Sequence, residues 1–272
     1  MRLPKHVMYS GRMINSLADD AADVSSRTGL NVSELVPAQE SMLPGIGGVL
    51  TNRAGDFDLE GRDAWIFISI KNRGFNRPYI DRFIDLCDGF GLNGHVCPVD
   101  DPYRYNSMAE FKSDDLPEAE AAKIERLSTD ITRMVQKAIN GKRTERVDIV
   151  KWRDIEENTP KTYREELSAA FHGRTRIRDI LYDHISSVKQ LDSERCFERY
   201  AEFFLCEVPV LIHAYYSNGP TMDIYPGPQP KFFWQIEMGL FEQELPKLTA
   251  LTKAGRSMLY LDTHDRSGGG KK

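Results

Sequence analysis

The clearest pattern in the chain is a continuous apolar run at residues 64–68. A run of this length without polar alternation is typical of a strand buried on both faces of a parallel sheet. Four apolar residues then recur at helical spacing: Ile80, Phe83, Ile84 and Cys87. Residues 95–99 predict a second strand, although Pro98 removes one backbone donor. Strand, helix and strand in this order form a βαβ unit, which favours a parallel sheet.

The rest of the chain alternates in the same way and predicts an α/β, doubly wound fold. Two further strands are indicated, at residues 147–150 and 257–261. Helical spacing is found at residues 118–140, 161–171, 176–190, 194–208 and 231–244. We expect a weakly ordered segment at residues 1–30, one domain at residues 31–264 and a flexible, glycine-rich tail at residues 265–272.

Composition narrows the class of protein. The net charge of −5 argues against non-specific nucleic-acid binding over the whole surface, so an RNA partner needs a local basic stripe. No apolar run is long enough to span a membrane and residues 1–13 have no apolar centre, so we expect a cytoplasmic protein. We also expect a monomer. The four cysteines form no CxxC pair and predict reduced core thiols. The sequence indicates neither a metal site nor a cofactor.

Ser69 directly follows the first predicted strand. In an open parallel sheet, ligands bind beyond the carboxyl ends of the strands, which is where this hydroxyl is expected. Asn72, Gly74 and backbone amides of the following loop are candidate donors to an oxyanion. Position alone does not separate a nucleophile from an ordinary polar residue that ends a strand.

Glu207 is a single carboxylate in the almost wholly apolar stretch 203–211. A buried carboxylate without a partner is unfavourable, so it should be paired, shifted in pKa or directed into a site. Tyr200 and Phe203 share its helical face, and an acid at the end of an aromatic stripe suits an amine ligand. The alternative is a surface glutamate at a fraying helix end before Pro209.

The helix predicted near residues 118–140 carries a basic stripe beside its apolar face. The stripe consists of Lys123, Arg126, Arg133 and Lys137, interrupted by Asp130. Such a ridge can follow an RNA backbone, where neutralising phosphates supplies affinity. A solvated helix face explains the same pattern.

Two segments resemble the signatures of transfer-RNA-dependent cyclodipeptide synthases. Residues 63–72 resemble the first signature, in which a buried strand ends in a nucleophilic serine with an asparagine three positions on. Residues 203–209 resemble the second, in which an aromatic residue is followed four positions later by Glu and six positions later by Pro. The similarity extends from about residue 60 to residue 245, and the order of the two segments matches.

The resemblance implies a Rossmann-like fold similar to the catalytic domain of class I aminoacyl-tRNA synthetases. It implies that two aminoacyl-tRNAs are joined into a diketopiperazine through aminoacyl- and dipeptidyl-serine intermediates. In that scheme Ser69 is the nucleophile, Asn72 positions the acyl group and Glu207 binds the amine and moves protons. Tyr225 corresponds to a tyrosine that assists cyclisation, and the stripe from Lys123 to Lys137 matches the tRNA-binding helix.

The chain departs from the family pattern at several positions. Phe203 replaces a tyrosine, and Tyr200, one turn earlier, is a candidate to replace its hydroxyl. Trp65 and Phe67 are bulky, so we expect them to reshape the first amino-acid pocket, and Asp63 replaces a histidine. The chain is similar to the eukaryotic, arginine-using branch, for which the candidate acids in a pocket are Asp100, Asp101 and Asp223.

Two other functions are compatible with the same residues. The first is a serine hydrolase that uses Ser69 with Lys71 or a histidine, although His184 and His213 lie in apolar stretches that favour core or surface positions. The second is a non-catalytic RNA-binding protein with a Rossmann-like fold. The three functions predict different consequences of Ser69→Ala.

Overall fold

The fold is seen in a computed structural model. It describes residues 46–51, 61–72, 74–173, 175–217, 221–225, 231–237, 239–252 and 257–261. The strands are β1 (Ile46–Thr51), β2 (Asp63–Ser69), β3 (Asn93–Val99), β4 (Val147–Ile149), β5 (Met222–Tyr225) and β6 (Ser257–Leu261). The helices are α1 (Arg77–Phe90), α2 (Tyr103–Glu110), α3 (Glu118–Lys142), α4 (Trp152–Asn158), α5 (Lys161–His172), α6 (Arg176–Val188), α7 (Glu194–Tyr216), α8 (Lys231–Glu237) and α9 (Pro246–Thr252).

The six strands form one sheet in the order β1-β6-β5-β2-β3-β4. All neighbouring strands run parallel except β1, which is antiparallel to β6 at the edge. From β2 the chain builds outward through β3 and β4, and then returns to the other side of β2 to add β5 and β6. This is the strand order of a Rossmann-like fold, and its switch point lies between β2 and β5. The predicted α/β class is confirmed.

The buried run of β2 serves two cores because successive side chains point to opposite faces of the sheet. Ala64, Ile66 and Ile68 pack with α1 and α3. Trp65 and Phe67 face a larger core built from α4 to α9. Asn76 caps the start of α1, because its side chain accepts a hydrogen bond from the Tyr79 amide at 3.1 Å. These contacts fix the carboxyl end of β2 between the two layers.

Close packing of α1 against β3 depends on Gly94. A Cβ atom at this position would lie 2.8 Å from Cys87 Sγ and 2.8 Å from Val147 Cγ2. All four cysteines are free and buried, as the sequence predicts. Within the described residues, no helix has both the length and the apolar character needed to cross a membrane.

Helix α7 continues through Pro209 to Tyr216, so the predicted end near residue 208 is wrong. A proline inside a helix costs about 3 kcal/mol because it removes one hydrogen bond and crowds the previous turn. Residues on both sides of Pro209 are buried in the larger core, including Leu205, Val208 and Ile212. Their burial offsets that loss, since each large apolar side chain contributes about 1.5–3 kcal/mol.

Other boundaries also differ from the prediction. Helix α8 ends at Glu237 instead of residue 244, and β1 at Ile46–Thr51 is a strand that the sequence pattern did not indicate. Strand β5 and helices α2, α4 and α9 are short elements that periodicity did not reveal. The predicted terminal segments, residues 1–30 and 265–272, lie outside the described residues.

Candidate active site

Ser69 is the last residue of β2 and is half-buried. It lies at the carboxyl edge of the sheet, on the strand that forms one side of the switch point. The alternation along β2 places Ser69 on the same face as Trp65 and Phe67, which is the face covered by α7. The hydroxyl therefore lies where Rossmann-like folds bind ligands.

The loop after Ser69 forms a tight turn. The amide of Asn72 donates to the Ser69 carbonyl at 2.9 Å. The Asn72 side-chain oxygen accepts from the Gly74 amide at 2.8 Å. The expectation that the Gly74 amide donates to an oxyanion is therefore wrong, because this amide already donates to Asn72. Through the same contact, Asn72 shapes the turn.

Glu207 lies in the middle of α7 and is half-buried. Burial raises the pKa of its carboxyl to about 8. The carboxyl has no hydrogen-bond or ion-pair partner among the described residues, and α7 does not fray at this point. The alternative of a surface glutamate at a helix end is therefore wrong.

Two contacts hold α7 against β2 and the turn that follows it. The Phe67 ring meets the Tyr215 ring edge-to-face, with centroids 5.4 Å apart. At the other end, Phe203 packs against the small core cluster that contains Ile70. Phe67 and Ile70 flank Ser69 on one element, while Tyr215 and Phe203 flank Glu207 on the other. These contacts place α7 beside the carboxyl half of β2, with Ser69 and Glu207 each lying between two of the contacting residues.

The aromatic residues that precede Glu207 on α7 are well packed. Tyr200 is buried, and its ring lies 5.2 Å from Lys189 Nζ. Burial, followed by the negative charge of Glu110, raises the pKa of the Tyr200 hydroxyl to about 12. Phe203 meets Phe204 edge-to-face at 5.4 Å. The Tyr200 hydroxyl therefore stays protonated over the physiological range and remains a hydrogen-bond donor.

An aromatic cluster fills the α7 face of β2 below Ser69. Trp65 stacks on Phe67 at 5.3 Å, and Trp152 meets Phe67 edge-on at 6.4 Å. The indole nitrogens of Trp65 and Trp152 are buried and have no hydrogen-bond partner among the described residues. The sequence singled out Trp65 and Phe67, but the parts played by Trp152 and Tyr215 depend on helices packing back onto β2.

Two residues at the other side of the switch point belong to β5. Asp223 is in register with Trp65, and Tyr225 is the last residue of β5. Both side chains fall outside the described part of the chain. The backbone nevertheless places Tyr225 at the carboxyl end of β5. Ser69 occupies the same position on the neighbouring strand, β2.

The basic stripe on α3 is partly neutralised. Lys123 Nζ lies 3.0 Å from a Glu120 oxygen. Arg133 pairs with Asp130 at 3.0 Å. Arg126 donates to a backbone carbonyl of its own helix, and Lys137 is exposed without a partner among the described residues. All four predicted cations share α3, but two of them already pair with a carboxylate.

A cleft of about 780 Å³ lies at the opposite, amino-terminal edge of the sheet. Its lining includes Asn93, His95 and Arg146. His95 Nδ1 lies 2.8 Å from Asp148 Oδ1. Because β2 and β3 are parallel and in register from Asp63↔Asn93 to Ser69↔Val99, this cleft is separated from Ser69 by the length of the strands.

Comparison with known proteins finds no matching family model and no matching curated protein. Solved structures do match. A cyclodipeptide synthase from Streptomyces noursei shares 19% identity with a TM-score of 0.52, covering 64% of this chain and 88% of that one. A Mycobacterium tuberculosis protein, whose structure relates cyclodipeptide synthetases to type I tRNA synthetases, shares 14% identity with a TM-score of 0.58, covering 85% and 98%. A cyclodipeptide synthase from Candidatus Glomeribacter gigasporarum, bound to Phe-tRNAPhe, shares 15% identity with a TM-score of 0.51, covering 79% and 92%.

These likenesses establish the fold. The chain has the Rossmann-like fold of cyclodipeptide synthases, as the two sequence signatures imply.

Proposed function

We propose that this protein is a cyclodipeptide synthase that joins two aminoacyl-tRNAs into a diketopiperazine through acyl intermediates on Ser69. The observation that carries the proposal is the pairing of two unusual residues. A serine ends the strand at the Rossmann switch point, and a helix packed on that strand presents a carboxyl with no partner among the described residues. The fold shared with cyclodipeptide synthases supports this reading.

The proposed reaction begins at the Ser69 hydroxyl. Its oxygen attacks the ester carbonyl of the first aminoacyl-tRNA, and the terminal ribose hydroxyl of the tRNA leaves with the proton. The amine of the resulting aminoacyl-serine attacks the second aminoacyl-tRNA, which releases a second tRNA and leaves a dipeptidyl-serine. The free amine then attacks the serine ester, so the ring closes and the Ser69 hydroxyl is restored.

Glu207 suits the amine in each of these steps. Its pKa of about 8 lies close to that of an α-amino group, which is about 7.7–8.0. Before they meet, the two groups therefore have similar proton affinities, which suits acid–base catalysis near neutral pH. A bound ammonium also supplies the charge partner that the carboxylate lacks among the described residues. The Tyr200 hydroxyl oxygen accepts a hydrogen bond from this ammonium in place of the family tyrosine, and Tyr225 assists ring closure.

The tRNA is proposed to lie along α3. Arg126 and Lys137 are the stripe cations not engaged by a carboxylate, and Lys123 and Arg133 exchange their partners for phosphates. The structure bound to Phe-tRNAPhe among the similar proteins supports an aminoacyl-tRNA as the substrate. Aminoacyl-tRNAs are the only partners that the proposal requires.

The serine–lysine alternative is disfavoured by the surroundings of Lys71. Its Nζ lies 3.4 Å from Glu110 Oε2 and 3.5 Å from Glu120 Oε1. Burial lowers the pKa of Lys71, but Tyr103, Glu110 and Glu120 together raise it above its ordinary value. A lysine held in the charged form cannot accept a proton from Ser69 near neutral pH.

An arginine-containing product is the first to look for. Asp100 follows β3 at the same edge of the sheet as Ser69, but its Oδ2 accepts from Ser128 at 2.6 Å. Asp101 pairs with Arg104 at 3.3 Å. An arginyl side chain bound at this edge of the sheet therefore displaces one of these partners or uses Asp223.

The experiment combines product analysis with detection of the acyl-enzyme. The chain is expressed in a bacterium, and the culture is searched by mass spectrometry for new cyclic dipeptides. The purified protein is mixed with aminoacyl-tRNAs and its intact mass is measured. We expect an aminoacyl adduct on Ser69 that Ser69→Ala abolishes and that the control Ser186→Ala, on the exposed surface of α6, retains. Absence of both product and adduct overturns the proposal.

The same variants separate the alternatives. A cyclodipeptide synthase with Ser69→Ala still binds tRNA but forms no product. A serine hydrolase turns over simple esters without RNA and reacts with a fluorophosphonate at Ser69. A non-catalytic RNA-binding protein forms no adduct, and its RNA binding is unchanged by Ser69→Ala.

A further inference from the structure

The two residues after Ser69 are both anchored to helices outside the sheet. Ile70 is 6% exposed and packs in a small core with Tyr103 of α2 and Ile124 of α3. Lys71 Nζ lies 4.5 Å from the centre of the Tyr103 ring. The segment that leaves the nucleophile is thus held by an apolar contact and a charged contact in succession.

Glu120 is the buried end of the charged contact. The residue is 5% exposed and lies in the first turn of α3. Its carboxylate is 3.5 Å from Lys71 Nζ and 3.0 Å from Lys123 Nζ, and Ser107 Oγ donates to it at 3.4 Å. Burial raises the pKa of Glu120, but Lys123 and Lys71 lower it below its ordinary value, so the carboxylate is charged at neutral pH.

This arrangement differs from an ordinary surface ion pair. Two lysines from different elements share one buried carboxylate, and removing a partner of such a group leaves a charge uncompensated. Glu110 also contacts Lys71, at 3.4 Å, but it is more exposed and also pairs with Lys189 at 3.1 Å. Glu120 is therefore the less solvated of the two acids that hold Lys71.

We propose that Glu120 is a positioning residue for the nucleophile. Through Lys71 it ties the turn after Ser69 to α3, and so fixes the hydroxyl relative to the turn of α7 that carries Glu207. Because Glu120 itself belongs to α3, its contact with Lys71 connects the nucleophile segment to the helix that carries the basic stripe. The inference rests on the proposed function, since it concerns the rate at which Ser69 is acylated.

The test measures acylation of Ser69 in the full-length protein. Glu120→Gln keeps the side-chain volume and removes the charge that holds Lys71. We expect the acylation rate at saturating aminoacyl-tRNA to fall at least about tenfold, since a displacement of about 1 Å can cost about 100-fold. The KM for aminoacyl-tRNA should change much less than this rate. Glu120→Asp, which keeps the charge, should retain more of the rate than Glu120→Gln.

Two further variants separate positioning from a loss of folding. Glu145→Gln makes the same chemical change at an exposed residue near the opposite edge of the sheet and should acylate at the wild-type rate. Lys71→Met breaks the contact from its other side and should lower the rate in a way that is not additive with Glu120→Gln. A Glu120→Gln rate within twofold of wild type overturns this inference alone. Failure of the wild-type protein to form any adduct overturns it together with the proposed function.

Discussion

The rings of Phe67 and Tyr215 meet edge-to-face, with centroids 5.4 Å apart and planes at 84°. Phe67 lies two residues before Ser69 on β2, and Tyr215 lies two turns after Glu207 on α7. Both rings are buried, so the contact helps to fix the carboxyl-terminal part of α7 against β2. The relative placement of the strand with the candidate nucleophile and the helix with the candidate acid thus depends on an apolar contact between the two elements.

Phe67→Ala should destabilise the fold and loosen this relation. Replacing a buried Phe by Ala in a core of this kind costs about 3–5 kcal/mol, because apolar contacts are lost and a cavity remains. We expect a lower midpoint of urea unfolding together with a broader range of cyclic dipeptides, measured by mass spectrometry. Phe111→Ala, at an exposed position, is the control and should change neither.

Glu207→Gln should stabilise the protein at alkaline pH. The carboxyl pKa is about 8 in the folded chain and 4.5 as an ordinary value, so above pH 4.5 the unfolded chain releases its proton before the folded chain does. Stability therefore falls as pH rises from about 4.5 to about 8. One pKa unit corresponds to about 1.4 kcal/mol.

Thermal unfolding of wild type and Glu207→Gln at several pH values measures this effect. After allowing for partial solvent exposure, we expect a gain for the variant on the order of 2 kcal/mol at pH 8.5, shrinking towards pH 5. The same variant should lose product formation. Equal stability of the two proteins at pH 8.5 would show that the fold does not raise the pKa of the Glu207 carboxyl.

Tyr200→Phe and Phe203→Tyr test which hydroxyl serves the amine. If Tyr200 replaces the family tyrosine, Tyr200→Phe should lower product formation about tenfold, because one hydrogen bond to a charged group contributes about 1.5–3 kcal/mol. Adding Phe203→Tyr to the Tyr200→Phe variant should restore much of the lost product formation. Tyr182→Phe, which removes a hydroxyl from a more exposed tyrosine, is the control, and cyclic dipeptide yield is the measurement.

The ion pairs on α3 predict opposite effects of two substitutions on tRNA binding. Asp130→Asn frees Arg133 and should tighten binding, whereas Lys137→Glu should weaken it. Each phosphate contact contributes about 0.7–0.9 to the slope of log affinity against log salt, so Lys137→Glu should make that slope shallower by about one. Fluorescence titrations with tRNA at several salt concentrations measure both. Weaker binding by Asp130→Asn would show that Arg133 does not face the RNA.

Much of the fold follows from local pattern. The run at residues 64–68 is apolar enough to identify β2. The apolar spacing of residues 118–140 identifies α3 nearly to its ends. The predicted α7 ends too early because Pro209 is a local signal for a helix end. The burial that overrides this signal comes from contacts with other elements. Strand β5 is too short for period-two alternation to identify it, although it forms the second side of the switch point.

The sequence by itself determined which groups the protein has available: a serine at a strand end, a carboxylate in an apolar helix and a basic stripe. Residues close together in the sequence decide these features, because each feature depends on spacing along one strand or one helix. Only the tertiary structure decided how these groups are placed. It used the Gly74 amide in the turn, paired two of the stripe cations and packed α7 against β2 through Phe67 and Tyr215. It also buried Glu120 between Lys71 and Lys123, since ion pairs and core contacts join residues far apart in the chain.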